Sequence, residues 1–266
     1  MTAYQTLIER LNGRFQQFPQ VQAIALGGSL AANSQDAGSD IDLYVYVNDL
    51  IPLANREAIV ADLGASRSSL NLQLWDLGDE WLDAASGIEI DVIYWWQKWI
   101  EAQLERVLVQ QQGSVGYSTC FWHTVRHSQT LFDRDGWFAA LQTKINQPYP
   151  EALRQDIIFK NHSVLRSIIP SYHTQLEKAV KRGDLVSVNH RLAGLFALNR
   201  ETHPGEKRLL NKAGQLALLP NHMAEQVTAV LQAQGEEVIT AVDRLLGNLD
   251  ALLQTQGFDP ATSRPG

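Results

Sequence analysis

The most informative stretch of the chain is Gly27-Gly28-Ser29, which ten residues separate from Asp40-Ile41-Asp42. An apolar run, Val21 to Leu26, leads into the glycines, and the run Leu43 to Val47, rich in β-branched and aromatic residues, follows the second aspartate. These runs predict a strand, a tight glycine turn into a short helix, and then a second strand that begins with two acids.

The two aspartates indicate a cation site. Side chains alternate along a strand, so Asp40 and Asp42 point to the same side while Ile41 turns into the core. Two carboxylates a few ångströms apart repel each other unless a cation lies between them, and hard oxygen ligands favour Mg²⁺, which takes further ligands from a substrate's phosphates. Gly28 and Ser29 suit such phosphates, because glycine lets backbone amides approach closely and a helix N-terminus favours negative charge.

With these residues the chain resembles the nucleotidyltransferase superfamily, which contains DNA polymerase beta and the aminoglycoside nucleotidyltransferases. The shared pattern is an apolar strand, the glycines, the acid-apolar-acid run and a third acid on a later strand. That third acid is Asp91, within the run Gly87 to Tyr94. The resemblance implies an N-terminal mixed sheet with flanking helices, two Mg²⁺ ions bridged by Asp40 and Asp42, and Asp91 completing the ion nearest the acceptor hydroxyl.

The resemblance also implies the substrates. A nucleoside triphosphate, ATP by default, would pass its NMP group to a hydroxyl of an acceptor while pyrophosphate leaves. The amide of Gly28 and the side chain of Ser29 would hold the outer phosphates. Lys207, which begins a helix after a Pro-Gly turn, is the first choice for a further phosphate contact, ahead of three other basic residues: Lys160, Arg191 and Arg208. Glu89 shares a strand face with Asp91, and either serves as general base or is a solvated strand-end acid.

Composition limits the partners. The first 110 residues hold 6 Lys/Arg against 15 Asp/Glu, a net charge of −9, and the remainder holds 16 against 14, or +2. An acidic first half without a basic stripe argues against a long nucleic-acid footprint, and so against a polymerase or tRNA-end enzyme. No apolar run reaches membrane-spanning length, and the single cysteine, Cys120, permits no internal disulfide, so a cytoplasmic protein is expected.

The order of elements predicts an α+β protein with two domains. Strands interleave with helices up to a Pro-rich segment at 146–150, after which the pattern is helical. We therefore expect a nucleotidyltransferase domain over 1–146, an all-α helical bundle over 151–256 and a loose tail over 257–266. The tryptophans that follow the third acid are expected to pack between the sheet, the following helix and the second domain rather than to stack on a nucleobase: Trp95, Trp96 and Trp99.

The acceptor is open at this point. The helical half resembles the architecture of aminoglycoside and lincosamide nucleotidyltransferases, which implies a small-molecule acceptor. An acidic loop could attract a cationic one, with four acids: Asp76, Asp79, Glu80 and Asp83. Two alternatives stay in view, a protein-modifying enzyme of the toxin-antitoxin type and a non-catalytic nucleotide-binding protein. The sequence leaves the oligomeric state open.

Overall fold

A six-stranded mixed sheet organises the first part of the chain. The computed structural model describes residues 2–28, 40–73, 76–169, 171–174, 177, 213–233, 236–260 and 264–265. The strands of the sheet are β1 (Val21–Leu26), β2 (Ile41–Val47), β3 (Ala65–Leu72), β4 (Gly78–Asp83), β5 (Glu89–Trp96) and β6 (Gln129–Asp133). They lie in the order β3-β4-β5-β2-β1-β6. β2 and β5 run parallel, and the other neighbouring pairs are antiparallel.

Helices flank the sheet and continue beyond it, which confirms the predicted α+β class. They are α1 (Ala3–Phe15), α2 (Leu53–Leu63), α3 (Gln97–Leu108), α4 (Cys120–His127), α5 (Trp137–Ile145), α6 (Glu151–His162), α7 (Met223–Gln232) and α8 (Glu237–Thr255). A π-helical turn, Ser163–Ser167, extends α6. Within the described ranges, every helix is too short or too polar to span a bilayer.

One face of the sheet is closed by α1 and α2. A capping box between Thr2 and Gln5 starts α1, and its apolar stripe is buried at helical spacing. These helices bury Leu7, Leu11, Phe15, Ile59, Val60 and Leu63 against inward residues of the strands, among them Ile41, Leu43, Ile90 and Val92. Because neighbours along a strand alternate, the intervening residues of β2 and β5 project from the opposite face.

The chain divides into two compact units. One comprises Met1–Leu104 with Thr124–Gln147, and the other comprises Glu105–His123 with Pro148–Gly266. Two of the boundaries fall within α3 and α4, and the third lies between Gln147 and Pro148, inside the Pro-rich segment at 146–150. Residues 105–123 therefore group with the second unit, whereas the sequence analysis had included them in the first domain over 1–146.

The last part of the chain, for which the sequence predicts a loose tail over 257–266, contains a short pair of strands. Phe258–Asp259 (β7) pairs with Arg264–Pro265 (β8) as a short antiparallel ribbon. The Phe258 side chain is buried, and the guanidinium carbon of Arg154 lies 4.9 Å from its ring centroid. The described part of the tail thus contacts α6 through residues that are distant in sequence, and composition does not reveal such a contact.

Candidate active site

Asp42 and Asp91 meet on the open face of the sheet. They are direct partners in the parallel register of β2 and β5, and both side chains are half-buried. Their neighbours Ile41 and Ile90 are fully buried on the other face. Paired residues of neighbouring strands project to the same side, so the register brings two of the three predicted aspartates together.

Asp40 and Glu89 lie one step earlier. Asp40 directly precedes β2 and is half-buried, whereas Glu89 is the first residue of β5 and is exposed. The pairing of Ile41 with Ile90, continued back by one residue, sets Asp40 beside Glu89. Strand alternation then places both on the side of Asp42 and Asp91. The carboxylates that the sequence singled out therefore occupy one end of two adjacent strands.

The glycine turn lies directly against this acidic pair. Gly28 has a φ of +62°, and a Cβ built on it would overlap the Asp42 carboxylate oxygen Oδ2. Gly27 donates its backbone N–H to the carbonyl oxygen of Asp42 at 2.9 Å, and a Cβ on Gly27 would overlap the Tyr44 ring. Both positions therefore need glycine for space, and Gly28 also for its backbone conformation.

Several predicted phosphate contacts fall outside the described residues, namely Ser29, Arg191, Lys207 and Arg208. Lys160 is described, in α6. Its ammonium donates to the Asp156 carboxylate at 2.7 Å and to the carbonyl oxygen of Gly113 at 2.9 Å. These hydrogen bonds connect the segment around Gly113 to α6, so the Lys160 ammonium already has structural partners.

Glu80 is a site residue whose place the sequence analysis missed. The expected acidic loop is wrong over 78–83, because these residues form β4 and pair with β5. Asp79 and Asp83 are buried, whereas Glu80 is exposed and is the direct cross-strand partner of Asp91. Among the described residues the Glu80 side chain has no hydrogen bond or ion pair. The only sequence signal for a strand here would have been alternation of apolar and polar residues. Two successive acids, Asp79 and Glu80, interrupt that alternation.

Trp95 and Trp99 pack as expected for these tryptophans, whereas Trp96 is exposed. The Trp95 ring lies 4.6 Å from the Tyr44 ring and 5.9 Å from the Trp99 ring, centroid to centroid. Its indole N–H donates to Asp76 at 3.1 Å. Trp96 is exposed at the end of β5. Trp95 is the partner of Tyr46 in the β2–β5 register and covers the end of this face that is far from the aspartates. The half-buried Tyr44 lies between Asp42 and Tyr46 on β2.

The donor set at this edge fits magnesium chemically. Asp42 and Asp91 offer oxygen ligands from two strands in register, and hard oxygen donors are what Mg²⁺ prefers. The side chains as placed do not form a closed cage: within the described ranges no three His, Cys, Asp or Glu side chains are grouped closely enough to hold a metal ion. Mg²⁺ commonly keeps several waters and completes its shell with substrate phosphates, so an open carboxylate pair suits it.

Comparison with known proteins identifies the segment that carries this site. Residues 9–98 match the family described as polymerase beta, nucleotidyltransferase. The match spans the glycine turn, β2, β4 and β5, and hence Asp40, Asp42, Glu80, Glu89 and Asp91. No curated protein matches the chain.

Solved structures give weaker likenesses. A nucleotidyltransferase-like protein from Exiguobacterium sibiricum 255-15 is 14% identical, with 96% of this chain and 74% of that chain covered and a TM-score of 0.38. A CCA-adding enzyme in complex with ATP is 9% identical, with 96% and 83% covered and a TM-score of 0.30. The CD-NTase CdnG of Bradyrhizobium diazoefficiens, in complex with GTP, is 14% identical, with 94% and 86% covered and a TM-score of 0.26.

Proposed function

We propose, from the premise that residues 9–98 form a nucleotidyltransferase domain of the polymerase beta family, that this protein moves an NMP group from a nucleoside triphosphate to a hydroxyl of a small-molecule acceptor with the help of Mg²⁺. One observation carries the proposal: Asp42 and Asp91 are partners in register beside a glycine whose missing side chain leaves room against Asp42. ATP is the default donor. The proposed enzyme works in the cytoplasm, with 1–146 as its catalytic domain and 151–256 as its helical domain.

Each acidic residue has a distinct proposed task. Asp40 and Asp42 hold the magnesium that accompanies the triphosphate, and Asp91 completes the site on the acceptor side. Bound magnesium in such sites stabilises charge on the attacking and leaving oxygens. Gly28 leaves its amide accessible to a phosphate oxygen, Ser29 and Lys207 add contacts to the outer phosphates, and Glu89 accepts the proton of the acceptor hydroxyl.

The acceptor is proposed to be a small cationic molecule of the aminoglycoside or lincosamide kind. Two arguments support this choice. The first 110 residues carry a net charge of −9, which disfavours a long polyanionic acceptor. Glu80 and Glu89 are exposed acids on the face of Asp91, and they would leave negative charge at the acceptor side even with magnesium bound. Such charge attracts a cation and repels an anion.

A thermal-shift series tests the function. Mg·ATP should raise the melting temperature of the wild type, because a ligand that binds only the folded state stabilises it by mass action. Asp42→Asn should abolish the rise, and the variant without metal should be at least as stable as the wild type, since repulsion from Asp91 is relieved.

The control is Glu57→Gln, which removes an exposed acid of α2 and should leave the rise unchanged. Identical responses of Asp42→Asn and wild type to Mg·ATP would show that Asp42 does not bind the metal. A screen of the other nucleoside triphosphates and of acceptor libraries, with pyrophosphate release as the readout, then identifies both substrates.

A further inference from the structure

A buried ion pair lies on the closed face of the sheet, beneath the acidic edge. Arg56 of α2 and Asp79 of β4 are 4% and 1% exposed, and Arg56 Nη1 donates to Asp79 Oδ1 at 2.6 Å. Ionised side chains are rarely buried this deeply, because removing a charge from water is energetically unfavourable. The position of the Arg56–Asp79 pair among apolar core residues therefore calls for an explanation.

The pair is the centre of a hydrogen-bonded network that ties four elements together. Asp79 Oδ1 also accepts the backbone N–H of Asn71 in β3 at 2.8 Å, and Oδ2 accepts the Tyr94 hydroxyl of β5 at 2.8 Å. Arg56 donates further to the Ile51 carbonyl at 3.2 Å and to the Asn71 side-chain oxygen at 3.1 Å. Its guanidinium carbon lies 5.1 Å from the Tyr94 ring centroid. The Asp79 carboxylate thus receives donors from α2, β3 and β5.

The apolar residues of β4 alone only weakly determine its facing, that is, which of its two alternating sets of side chains points to the core. Its inward residues are Asp79, Trp81 and Asp83, and the alternate set is Gly78, Glu80 and Leu82. Each set contains one large apolar residue. In the observed orientation the Trp81 indole N–H is buried and has no hydrogen-bond partner among the described residues, and an unpaired buried donor destabilises the folded state. A shift of register by one residue would turn every side chain of β4 to the other face.

We propose that Arg56 is a positioning residue that sets the facing of β4: by drawing Asp79 to the closed face, it leaves Glu80 on the open face as the cross-strand partner of Asp91. Asp79 and Glu80 compete for the guanidinium of Arg56. Only the observed register lets Asp79 accept hydrogen bonds from Arg56, Asn71 and Tyr94 together. The register of β4 against β5 can be tested by itself, whereas the role of Glu80 beside Asp91 rests on the proposed nucleotidyl transfer.

Thiol labelling reads the facing directly. In a Cys120→Ser background, Glu80→Cys should react readily with a maleimide, because position 80 is exposed. Adding Arg56→Met should slow that reaction at least tenfold, since Asp79 then lacks its cation and position 80 turns inward. A further change, Asp79→Leu, should restore fast labelling, because an apolar side chain at 79 favours the inward position again. If Arg56→Met does not fold, Arg56→Gln replaces it with the same expectation.

Binding of Mg²⁺ with the α,β-methylene analogue of ATP, measured by calorimetry, gives the second readout, with Glu80 and Cys120 intact. Arg56→Met should keep the affinity within threefold of the wild type, because the proposed magnesium ligands Asp40 and Asp42 belong to β2 and its start rather than to β4. Affinity lost together with labelling would show that the variant loses the fold of the domain rather than the inward face of β4, and would overturn the proposal. Arg154→Met, which removes another buried arginine with an acidic partner, should weaken neither labelling nor binding. Unchanged or faster labelling in the Arg56 variant would overturn the proposal. A wild type that does not bind the analogue would instead refute the proposed function and leave the labelling result valid.

Discussion

Gly28 shows how one missing side chain shapes the site. Replacing it with Ala should weaken binding of Mg·ATP far more than it lowers the free energy of unfolding, because the new Cβ would displace the Asp42 carboxylate. The left-handed backbone adds a cost of about 1–2 kcal/mol for any residue with a Cβ. Gly136→Ala is the matched control, since Gly136 has a φ of +72° and a Cβ added there would meet nothing within 4 Å. Equal losses of affinity in both variants would show that backbone strain alone is responsible.

Asp91 separates binding from catalysis in the proposed site. Asp91→Asn keeps the shape of the side chain and removes its charge, so Mg·ATP held by Asp40 and Asp42 should largely stay bound. Transfer should fall by about three powers of ten or more, at about 1.4 kcal/mol of barrier for each tenfold loss. Calorimetry of ATP binding, together with pyrophosphate release with the identified acceptor, measures both. Glu89→Gln is the companion variant, and full turnover in Asp91→Asn would assign the acceptor-side metal to another acid.

Two buried tyrosines on adjacent strands differ in one respect. Tyr94 of β5 donates its hydroxyl to Asp79, whereas the Tyr46 hydroxyl of β2 is fully buried and has no hydrogen-bond partner in the described part of the chain. Tyr46→Phe should therefore stabilise the protein by about 1 kcal/mol, and Tyr94→Phe should destabilise it by about the same amount or more. Urea denaturation of the two variants beside the wild type measures the difference. A destabilised Tyr46→Phe would indicate that a water molecule satisfies this hydroxyl.

Elements with a local pattern were predictable from sequence, and those that depend on distant partners were not. β1, β2 and β5 carry apolar runs or strict alternation, so their existence and the position of Asp42 at the start of β2 followed from spacing, whereas the family pattern singled out Asp91. β4 was taken for a loop because its inward side chains include Asp79, and the residue that makes a buried aspartate tolerable, Arg56, lies 23 positions away. Hydrophobic periodicity is read over a short segment, so it carries no information on an ion pair between residues far apart in sequence.

The same limit applies to the candidate site. Sequence spacing placed Asp40 and Asp42 on one strand face, and the third acid followed from the family pattern. The neighbour of that acid, Glu80, became visible only through the β4–β5 register. Residues 105–123 show the same limit, since contacts rather than composition group them with the second unit.

At the scale of the whole molecule, both compact units contain buried tyrosines that link stability to alkaline pH. Burial is the main cause that raises the pKa of Tyr46 and of Tyr94, with the charge of Tyr44 and of Asp79 adding to the respective shifts. Burial likewise raises the pKa of Tyr149 in the second unit, against a smaller opposing effect of Arg154. In the unfolded chain these hydroxyls ionise near pH 10.

Stability should therefore fall as the pH rises above about 10, because the unfolded state then releases protons that the folded state retains. Each such tyrosine contributes at most about 1.4 kcal/mol per pH unit between its unfolded and its folded pKa. Urea denaturation at pH 9, 10 and 11 gives the slope of the free energy of unfolding against pH, and absorbance at 295 nm should show these tyrosines ionising only as their own unit unfolds. Replacing Tyr94 or Tyr149 by Phe should make the slope for the corresponding unit shallower by up to that amount. Lysine and arginine titration is common to all variants and cancels in the comparison, so an unchanged slope in both variants would contradict the prediction.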